Sequence, residues 1–272
     1  MGRSPSPRSI GDLTFPEISG NLRETSILCL PIGAIEQHGA HLPLGTDVVV
    51  AEGLTRALIA RWGDPFDLWQ LPTLSVSLSR EHDWAPGTLS LSVQTFAALL
   101  KEMGGELVRA VPARNLVIVN GHGGNRGLLE NLLHELWGDH GLNACVIHPF
   151  DLAKTATGSA GPDVHGGAAE TSIMLALAPD LVRSDMIQQV DQPPASDDIA
   201  ALVFDRGVSW PWRSDDPRLA QKGIIGDPRL ASAEHGNAMI ESMVEQARGV
   251  FARLLENQSL RGKAGAISRR SP

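Results

Sequence analysis

The sequence predicts an α/β fold, a three-layer sandwich in which helices flank both faces of a central, mostly parallel sheet. Short apolar runs alternate with longer stretches of helical periodicity, in the order strand then helix, four times over. This alternation favours parallel strands, because each strand needs a crossover connection that a helix supplies. The chain has 272 residues, 42% of them hydrophobic, which suits a single domain with a substantial core.

Each element has its own signal along the chain. Apolar runs predict strands at residues 26–32, 68–74, 115–119 and 144–147. Apolar residues at helical spacing predict helices at residues 48–62, 92–111, 126–137, 166–177 and 233–255. Gly63, Asp64 and Pro65 would end the first helix, and the polar segment 188–198 is typical of a connector. We expect an N-terminal arm at residues 1–25, one α/β domain at 26–256 and a flexible tail at 257–272.

Charge and cysteine usage narrow the range of partners and compartments. The formal net charge of −8 argues against nucleic acid or an anionic membrane as a partner. Cys29 and Cys145 fall in predicted buried strands, where cysteine is usually a small core residue rather than half of a disulfide. The N-terminal residues lack the apolar segment of a signal peptide, and no apolar run approaches the roughly 20 residues that span a bilayer. These features predict a cytoplasmic protein.

The first group of ligand-type side chains directly follows the first predicted strand. Glu36 and His38 point to the same side of an extended backbone, at the carboxyl end of a strand where open α/β sheets place their sites. Asp47 opens the next helix, where backbone N–H groups favour a carboxylate. It could instead be only a helix cap, since Thr46 and Asp47 both suit that position. His41 is expected to be a loop histidine rather than a ligand.

A second group follows the third predicted strand, in the hexapeptide Asn120-Gly121-His122-Gly123-Gly124-Asn125. Its glycines let the backbone turn sharply and approach a ligand closely. A phosphate-binding loop is one interpretation, but the pattern is neither the P-loop nor the dinucleotide fingerprint, and it has no lysine. Because His122 lies at the carboxyl end of a strand, a metal ligand is favoured over a core histidine.

A third group lies at the start of the fourth predicted helix. Glu170 is surrounded there by small or apolar residues such as Ala169 and Ile173, and a bare carboxylate on such a helix is costly unless it is paired or coordinated. The alternative is a satisfied glutamate with a capping role. His165 stands five residues earlier, just before the helix begins.

The sequence thus offers three carboxylates and two imidazoles as candidate metal ligands: Glu36, His38, Asp47, His122 and Glu170. That is too many for one tetrahedral zinc with an open position, and it suits a two-metal site in which one carboxylate bridges. Nitrogen and oxygen ligands without thiolate fit Zn²⁺, Mn²⁺ or Fe²⁺. We therefore expect two divalent metal ions per chain.

These three groups resemble the signature of the creatininase family. Residues 36–47 match the string E-Q-H-G-x-H-L-P-x-x-T-D, residues 120–125 match N-G-H-G-G-N, and residues 165–172 match H-[AG]-G-x-x-E-T-S. The resemblance implies a creatininase-like fold and a homo-oligomer, a hexamer built from dimers.

The resemblance also implies how the ligands are shared between the metals. Asp47 would bridge, Glu36 and His122 would hold one metal, and His38 and Glu170 would hold the other.

One position departs from the family pattern. In creatininase proper a metal-binding glutamate stands two residues after the histidine of the N-G-H motif, where this chain has Gly124. The second metal then needs Glu170, and the departure argues against creatinine itself as the substrate.

The remaining site residues are assigned by their chemistry and by the resemblance. We expect His165 to protonate the leaving nitrogen, because histidine titrates near neutrality, with helix capping or support of the ligands as the alternative. The loop at residues 79–88 resembles the family's S-x-E-H…P-G-T segment and is interpreted as a pocket wall. The expected substrate-binding residues are Ser79, Glu81, His82, Trp84, Gly123, Trp210 and Trp212. The loop tryptophans could equally form a lid or a subunit interface.

We therefore predict a metal-dependent amidohydrolase that cleaves a non-peptide C–N bond, cyclic or linear, of a small molecule. An alternative enzyme is a relative that trims a modified peptide or removes a formyl group in cofactor biosynthesis. A third hypothesis is a non-catalytic metal- or ligand-binding homologue, which the intact ligand set argues against.

Overall fold

The computed structural model of the chain describes residues 8–154, 162–189, 196–204 and 207–268, and within them one parallel sheet of four strands forms the centre. The strands are β1 (Ile27–Ile32), β2 (Leu68–Gln70), β3 (Asn115–Asn120) and β4 (Asn143–Ile147), arranged in the order β2-β1-β3-β4. In the central strand, Ile27 pairs with Leu68 on one side and with Asn115 on the other. The carboxyl ends of β1 and β3 therefore lie side by side at one edge of the sheet.

Helices follow each strand, as the alternation of sequence patterns predicts. They are α1 (Phe15–Asn21), α2 (Thr46–Phe66), α3 (Val93–Ala110), α4 (Arg126–His140), α5 (Pro149–Leu152), α6 (Ala168–Leu177), α7 (Ser184–Ile187), α8 (Ser196–Ile199) and α9 (Ala233–Ser268). Short 3-10 turns lie at Ile10–Asp12, Arg80–His82, Gly123–Asn125, Pro179–Leu181 and Pro228–Leu230, and a π-helical turn lies at Ala200–Phe204.

Two apolar cores, one on each face of the sheet, confirm the three-layer sandwich. Ile27 and Cys29 of β1 face a core built with α2, α6 and α9. Leu28 and Leu30 face the opposite core, built with α3 and α4. Alternate residues of one strand thus enter different cores, as the pleat of a strand requires. Among the helices described, none is both long and apolar enough to cross a bilayer.

Several element boundaries differ from those predicted. Helix α2 runs through Pro65 and ends only where Asp67 adopts a left-handed φ of 51°, so the proline sits in the last turn rather than after it. Strand β2 is shorter than predicted, and α9 continues from Ala233 to Ser268, beyond the predicted end at residue 255. Residues 190–195 of the predicted connector lie outside the described part of the chain. The division into arm, domain and tail stays a prediction.

Two glycines bring the start of α2 against the strand ends. A Cβ atom on Gly33, just after β1, would lie 2.5 Å from the backbone nitrogen of Val48. A Cβ atom on Gly121, just after β3, would overlap the carbonyl oxygen of Asp47. Because neither glycine carries a side chain, the first turn of α2 can lie directly on the edge where β1 and β3 end.

We predict that Gly33→Ala lowers the free energy of unfolding by roughly 1–3 kcal/mol, the usual cost of overpacking a rigid contact. The added methyl group has to displace the backbone of α2, which cannot move as a flexible side chain can. Gly127→Ala in α4 is the matched control, because a Cβ atom there has no neighbour within 4 Å. Urea unfolding of both variants checks this, and equal stabilities for the two would contradict the close approach.

Candidate metal centre

The carboxylate of Glu36 lies completely buried beyond the end of β1. Neither of its oxygens accepts a hydrogen bond from any described residue. Oε1 instead faces four imidazole nitrogens, at 3.2 Å from His122, 3.6 Å from His82 and His165, and 3.8 Å from His38. A buried carboxylate without donors is very unfavourable unless a cation compensates it, so this environment fits a metal ion.

Asp47 lies between two of these imidazoles. Its Oδ1 is 3.1 Å from Nε2 of His38, and its Oδ2 is 3.2 Å from Nδ1 of His122. The N-cap of α2 is Gly45, and no side chain caps the helix there. The Asp47 carboxylate is therefore directed at the two histidines rather than used as a cap.

Two sets of ligand atoms emerge, and they share Asp47. Glu36, Asp47 and His122 form one set, and His38, Asp47 and Glu170 form the other, with the ligand atoms of each set within 4.8 Å of one another. This grouping is the division that the sequence resemblance implies. Within the described residues a further set joins Glu36, His38 and His165. The ligand roles themselves stay a prediction.

Contacts on the far side of two rings leave one nitrogen of each ring for a metal. Nδ1 of His38 lies 3.1 Å from the backbone carbonyl of Glu36, which can only accept, so in the neutral ring Nε2 carries the lone pair that faces the carboxylates. Nε2 of His122 lies 3.4 Å from Oε1 of Glu81, and its Nδ1 faces Glu36 and Asp47. Such outer partners fix the tautomer and orientation of a ligating histidine.

Helix α6 presents Glu170 through a cap at its own start. The carboxylate of Asp163 accepts a hydrogen bond from the backbone N–H of Ala169 at 2.8 Å. Any Cβ atom on Gly167 would overlap that carboxylate, so the turn requires glycine at this position. The Glu170 carboxylate then folds back to accept a hydrogen bond from the N–H of Gly166 at 2.6 Å.

Three side chains of the cluster, His38, His122 and Glu170, have raised pKa values and therefore hold protons where cations would bind. Burial disfavours a charged imidazole at His38, but Asp47 and two further carboxylates outweigh burial and raise the pKa of His38 to about 10. Burial likewise opposes protonation of His122, yet the charge of Glu36 and the neighbouring carboxylates raise its pKa well above the ordinary value. Burial raises the pKa of Glu170 to about 7, against the opposing charge of His38. Divalent cations would replace these protons.

The space beside Gly124 is filled by Glu81. A Cβ atom at position 124 would overlap both Oε1 of Glu81 and Nε2 of His122. The pKa of Glu81 is about 2, because its contact with His122 outweighs the effect of burial. No side chain fits at position 124 in this arrangement, and the carboxylate beside Nε2 of His38 is that of Glu170, at 3.8 Å.

A cavity of about 930 Å³ opens beside the cluster. Of the residues predicted to bind substrate, those that line it are Glu81, Gly123, Trp210 and Trp212. Ser79 is fully buried, and its hydroxyl has no hydrogen-bond partner among the described residues. His82 is buried against the rings of the cluster, and the indole of Trp84 donates to Oγ of Ser214 at 2.8 Å.

Sequence reasoning did not single out two polar residues that hold this region together. Gln37 is almost fully buried and donates from its amide to the carbonyl of Gly223 at 2.9 Å. Its place inside the E-Q-H string is a usable signal. Ser214 is 1% exposed and contacts several side chains around the site. Nothing in its sequence neighbourhood, between Arg213 and Asp215, distinguishes it from a surface serine.

Comparison with known proteins agrees with this geometry. A family model described as "Creatininase: Creatinine amidohydrolase" matches residues 11–250. The chain is 32% identical over 231 residues to the mycofactocin precursor peptide peptidase of Mycobacterium ulcerans (strain Agy99), which covers 83% of this chain and 84% of the relative. It is 30% identical over 257 residues to the creatinine amidohydrolase of Pseudomonas putida, which covers 87% of this chain and 93% of the relative.

A solved structure gives the same result at the level of the fold. A mutant creatininase described as "Zn-Zn type" superposes with a TM-score of 0.71 at 28% sequence identity, covering 93% of this chain and 99% of that one. The family model, the relatives and this superposition agree on one family. The chain belongs to the creatininase family.

Proposed function

We propose that this hydrolase cleaves the C–N bond of a non-peptide amide, cyclic or linear, with two divalent metal ions in one buried site. The observation that carries the proposal is the pair of ligand sets that share Asp47, built around carboxylate oxygens with no hydrogen-bond donor among the described residues. When bound, two metal ions would activate a water near neutral pH and polarise the amide carbonyl. Family membership supports a hydrolase of this kind.

The chain's own residues supply the remaining steps. Glu36 and His122 would hold one ion and His38 and Glu170 the other, with Asp47 between them. In such a site Glu170 counts as a catalytic residue as well as a ligand.

We assign the proton transfer to His165. Its Nε2 lies 2.5 Å from the backbone carbonyl of Gln37, which can only accept, so that nitrogen carries the hydrogen and Nδ1 faces Glu36. Burial, together with the charges of His82 and His38, lowers the pKa of His165 well below its ordinary value. A neutral ring can take a proton from the attacking water at Nδ1 and return it to the leaving nitrogen.

A second candidate is a peptide amide, as in a relative that trims a modified peptide or removes a formyl group in cofactor biosynthesis. The cavity of about 930 Å³ is near the upper end of the range for small-molecule sites, which favours a substrate larger than one small ring. One relative is named a precursor peptide peptidase. A screen of creatinine, lactams, hydantoins and short peptides separates the two candidates, and no turnover of any amide by the metal-loaded protein would argue for the non-catalytic hypothesis.

Three further assignments belong to the same proposal. Zinc or manganese suits the nitrogen and oxygen ligands, and ferrous iron is compatible with them. We propose a homo-oligomer, a hexamer built as a trimer of dimers, in the cytoplasm. Nucleic acid and membranes are not expected as partners, given the net charge of −8.

Metal content tests the ligand assignment directly. We predict about two metal ions per chain for protein purified without chelator, near zero for Asp47→Ala and about one for Glu170→Ala, since the shared ligand serves both ions. Asp64→Ala is the control, because that carboxylate is 93% exposed and remote from the site. Elemental analysis gives the counts, and retention of both ions by Asp47→Ala would reject the bridging role.

His165→Ala tests the proton-transfer assignment. We predict unchanged metal content and a fall in kcat of about 10²–10⁴-fold, the range for loss of a general acid–base. His134→Ala, on the exposed face of α4, is the matched control. Turnover measured on the best amide from the screen decides the point, and turnover at the wild-type rate would leave His165 only a structural role.

The pKa directions predict that metal binding releases protons. His38 and Glu170 hold raised pKa values in the metal-free protein, so lowering the pH adds protons that a metal must displace. Affinity should therefore rise as the pH increases from about 6 to about 8. Calorimetric titration of the chelated protein in buffers of different ionisation enthalpy measures the released protons. A metal affinity that does not change with pH would contradict the prediction that His38 and Glu170 hold protons that the metal displaces.

A further inference from the structure

His82 lies inside the cluster, yet it belongs to none of the ligand sets that share Asp47. Its ring is 1% exposed and stacks on the ring of His165 with centroids 3.9 Å apart. Its Nε2 lies 3.6 Å from Oε1 of Glu36. This nitrogen can act as a metal ligand if it carries a lone pair, or as a hydrogen-bond donor if it carries a hydrogen. The choice depends on what the other ring nitrogen, Nδ1, is bonded to.

Ser214 limits that choice through the capacity of its hydroxyl group. A serine hydroxyl has one hydrogen to donate and two lone pairs that accept. The indole N–H of Trp84 lies 2.8 Å from Oγ, and the amide nitrogen of Gln37 lies 3.1 Å from it, and both groups can only donate. When the second amide hydrogen of Gln37 points to Oγ, these two donors fill both lone pairs. The hydroxyl hydrogen is left for Nδ1 of His82, which is 2.7 Å away and closer than the carbonyl of Glu81 at 3.3 Å.

Gln37 leads to the same choice if its second amide hydrogen points to His82 instead, since Gly223 takes the first. Its amide orientation is fixed at both ends, because Nε2 lies 2.9 Å from the carbonyl of Gly223 and Oε1 accepts from the N–H of Gly39 at 2.9 Å. That fixed Nε2 is a donor, and it lies 3.2 Å from Nδ1 of His82. In either arrangement a hydrogen on Nδ1 of His82 would find no free lone pair on its neighbours.

We infer that Ser214, with Gln37, fixes His82 in the tautomer that carries its hydrogen on Nε2, so that His82 is a hydrogen-bond donor towards the Glu36 carboxylate and not a metal ligand. Ser214 is then a positioning residue that acts on the centre through His82. The four imidazoles around Glu36 divide by function. As neutral rings, His38, His122 and His165 present a lone pair to the site, and His82 presents an N–H.

The N–H of His82 would help to hold the Glu36 carboxylate in place. Directed at Oε1 from 3.6 Å, it supports one ligand without occupying a coordination position. The metal part of this consequence rests on the proposed function, whereas the tautomer is a property of the chain alone. The two can therefore fail separately.

The tautomer is measured on the chelator-treated full chain labelled with ¹⁵N at histidine. The His82 signals are identified by their absence from His82→Gln. We expect an unprotonated Nδ1 and a protonated Nε2 in the wild-type protein, and a protonated Nδ1 would overturn the inference. This measurement requires neither metal nor substrate, so it stands even if the metal centre is rejected.

Variants at position 214 test the positioning role. Ser214→Ala removes the donor and should move the Nδ1 resonance of His82, whereas Ser214→Thr keeps a hydroxyl and should restore the wild-type position. Ser26→Ala is the matched control, a fully buried serine whose hydroxyl donates to Asp67 instead. An Nδ1 resonance that is the same in Ser214→Ala and wild type would remove Ser214 from the assignment.

Two amide replacements at position 82 test the donor role. The amide nitrogen of Gln can reach the place of Nε2, and that of Asn reaches only the place of Nδ1. We expect both His82→Gln and His82→Asn to keep the wild-type metal content, with a kcat about tenfold or more lower for Asn than for Gln. Loss of metal in both variants would make His82 a ligand, and equal turnover in both would reject the donor role.

Discussion

The buried carboxylates of Glu36 and Asp47 set the requirement that the rest of the site meets. Both lie out of water, and three of their four oxygens accept no hydrogen bond from the described residues. Two such charges cannot stay close together in a medium of low dielectric without positive charge beside them. In the metal-free chain the protons on His38 and His122 supply that charge. A cation site is the arrangement in which those protons are exchanged for metal ions.

The backbone meets this requirement by bringing three element ends to one point. Parallel pairing of β1 with β3 places the residues that follow each strand at the same edge of the sheet. Glycines at 33 and 121 let the N-terminus of α2 lie on that edge, where its unpaired N–H groups favour the Asp47 carboxylate. Helix α6 adds Glu170 from one side, with its start fixed by the cap from Asp163. Each contribution is local in sequence, and only the sheet order makes them meet.

This locality explains what could be predicted. Glu36, His38, His122 and Glu170 each stand at a strand end or helix start, so residue type and position along the chain are enough to mark them as candidates. The hydrogen bonds that orient these side chains cannot be predicted in this way. Ser214 and Gln37 are 177 residues apart, and their role depends on which atoms they donate to or accept from. The predicted end of α2 comes too early for a similar reason, since Pro65 is acceptable in a last turn whose extent depends on packing.

Glu81 contacts the cluster and also lines the cavity, in the space beside position 124. In creatininase proper a glutamate follows the N-G-H motif, whereas here Gly124 leaves that space to Glu81, whose carboxylate contacts His122 from outside. Glu170 is close enough to His38 to supply the carboxylate from α6 instead, at 3.8 Å. The cluster thus keeps carboxylates beside both His38 and His122 without one at position 124. Glu81 and Glu170 line the cavity together with Trp210 and Trp212, so the change at position 124 alters the cavity surface as well as the cluster.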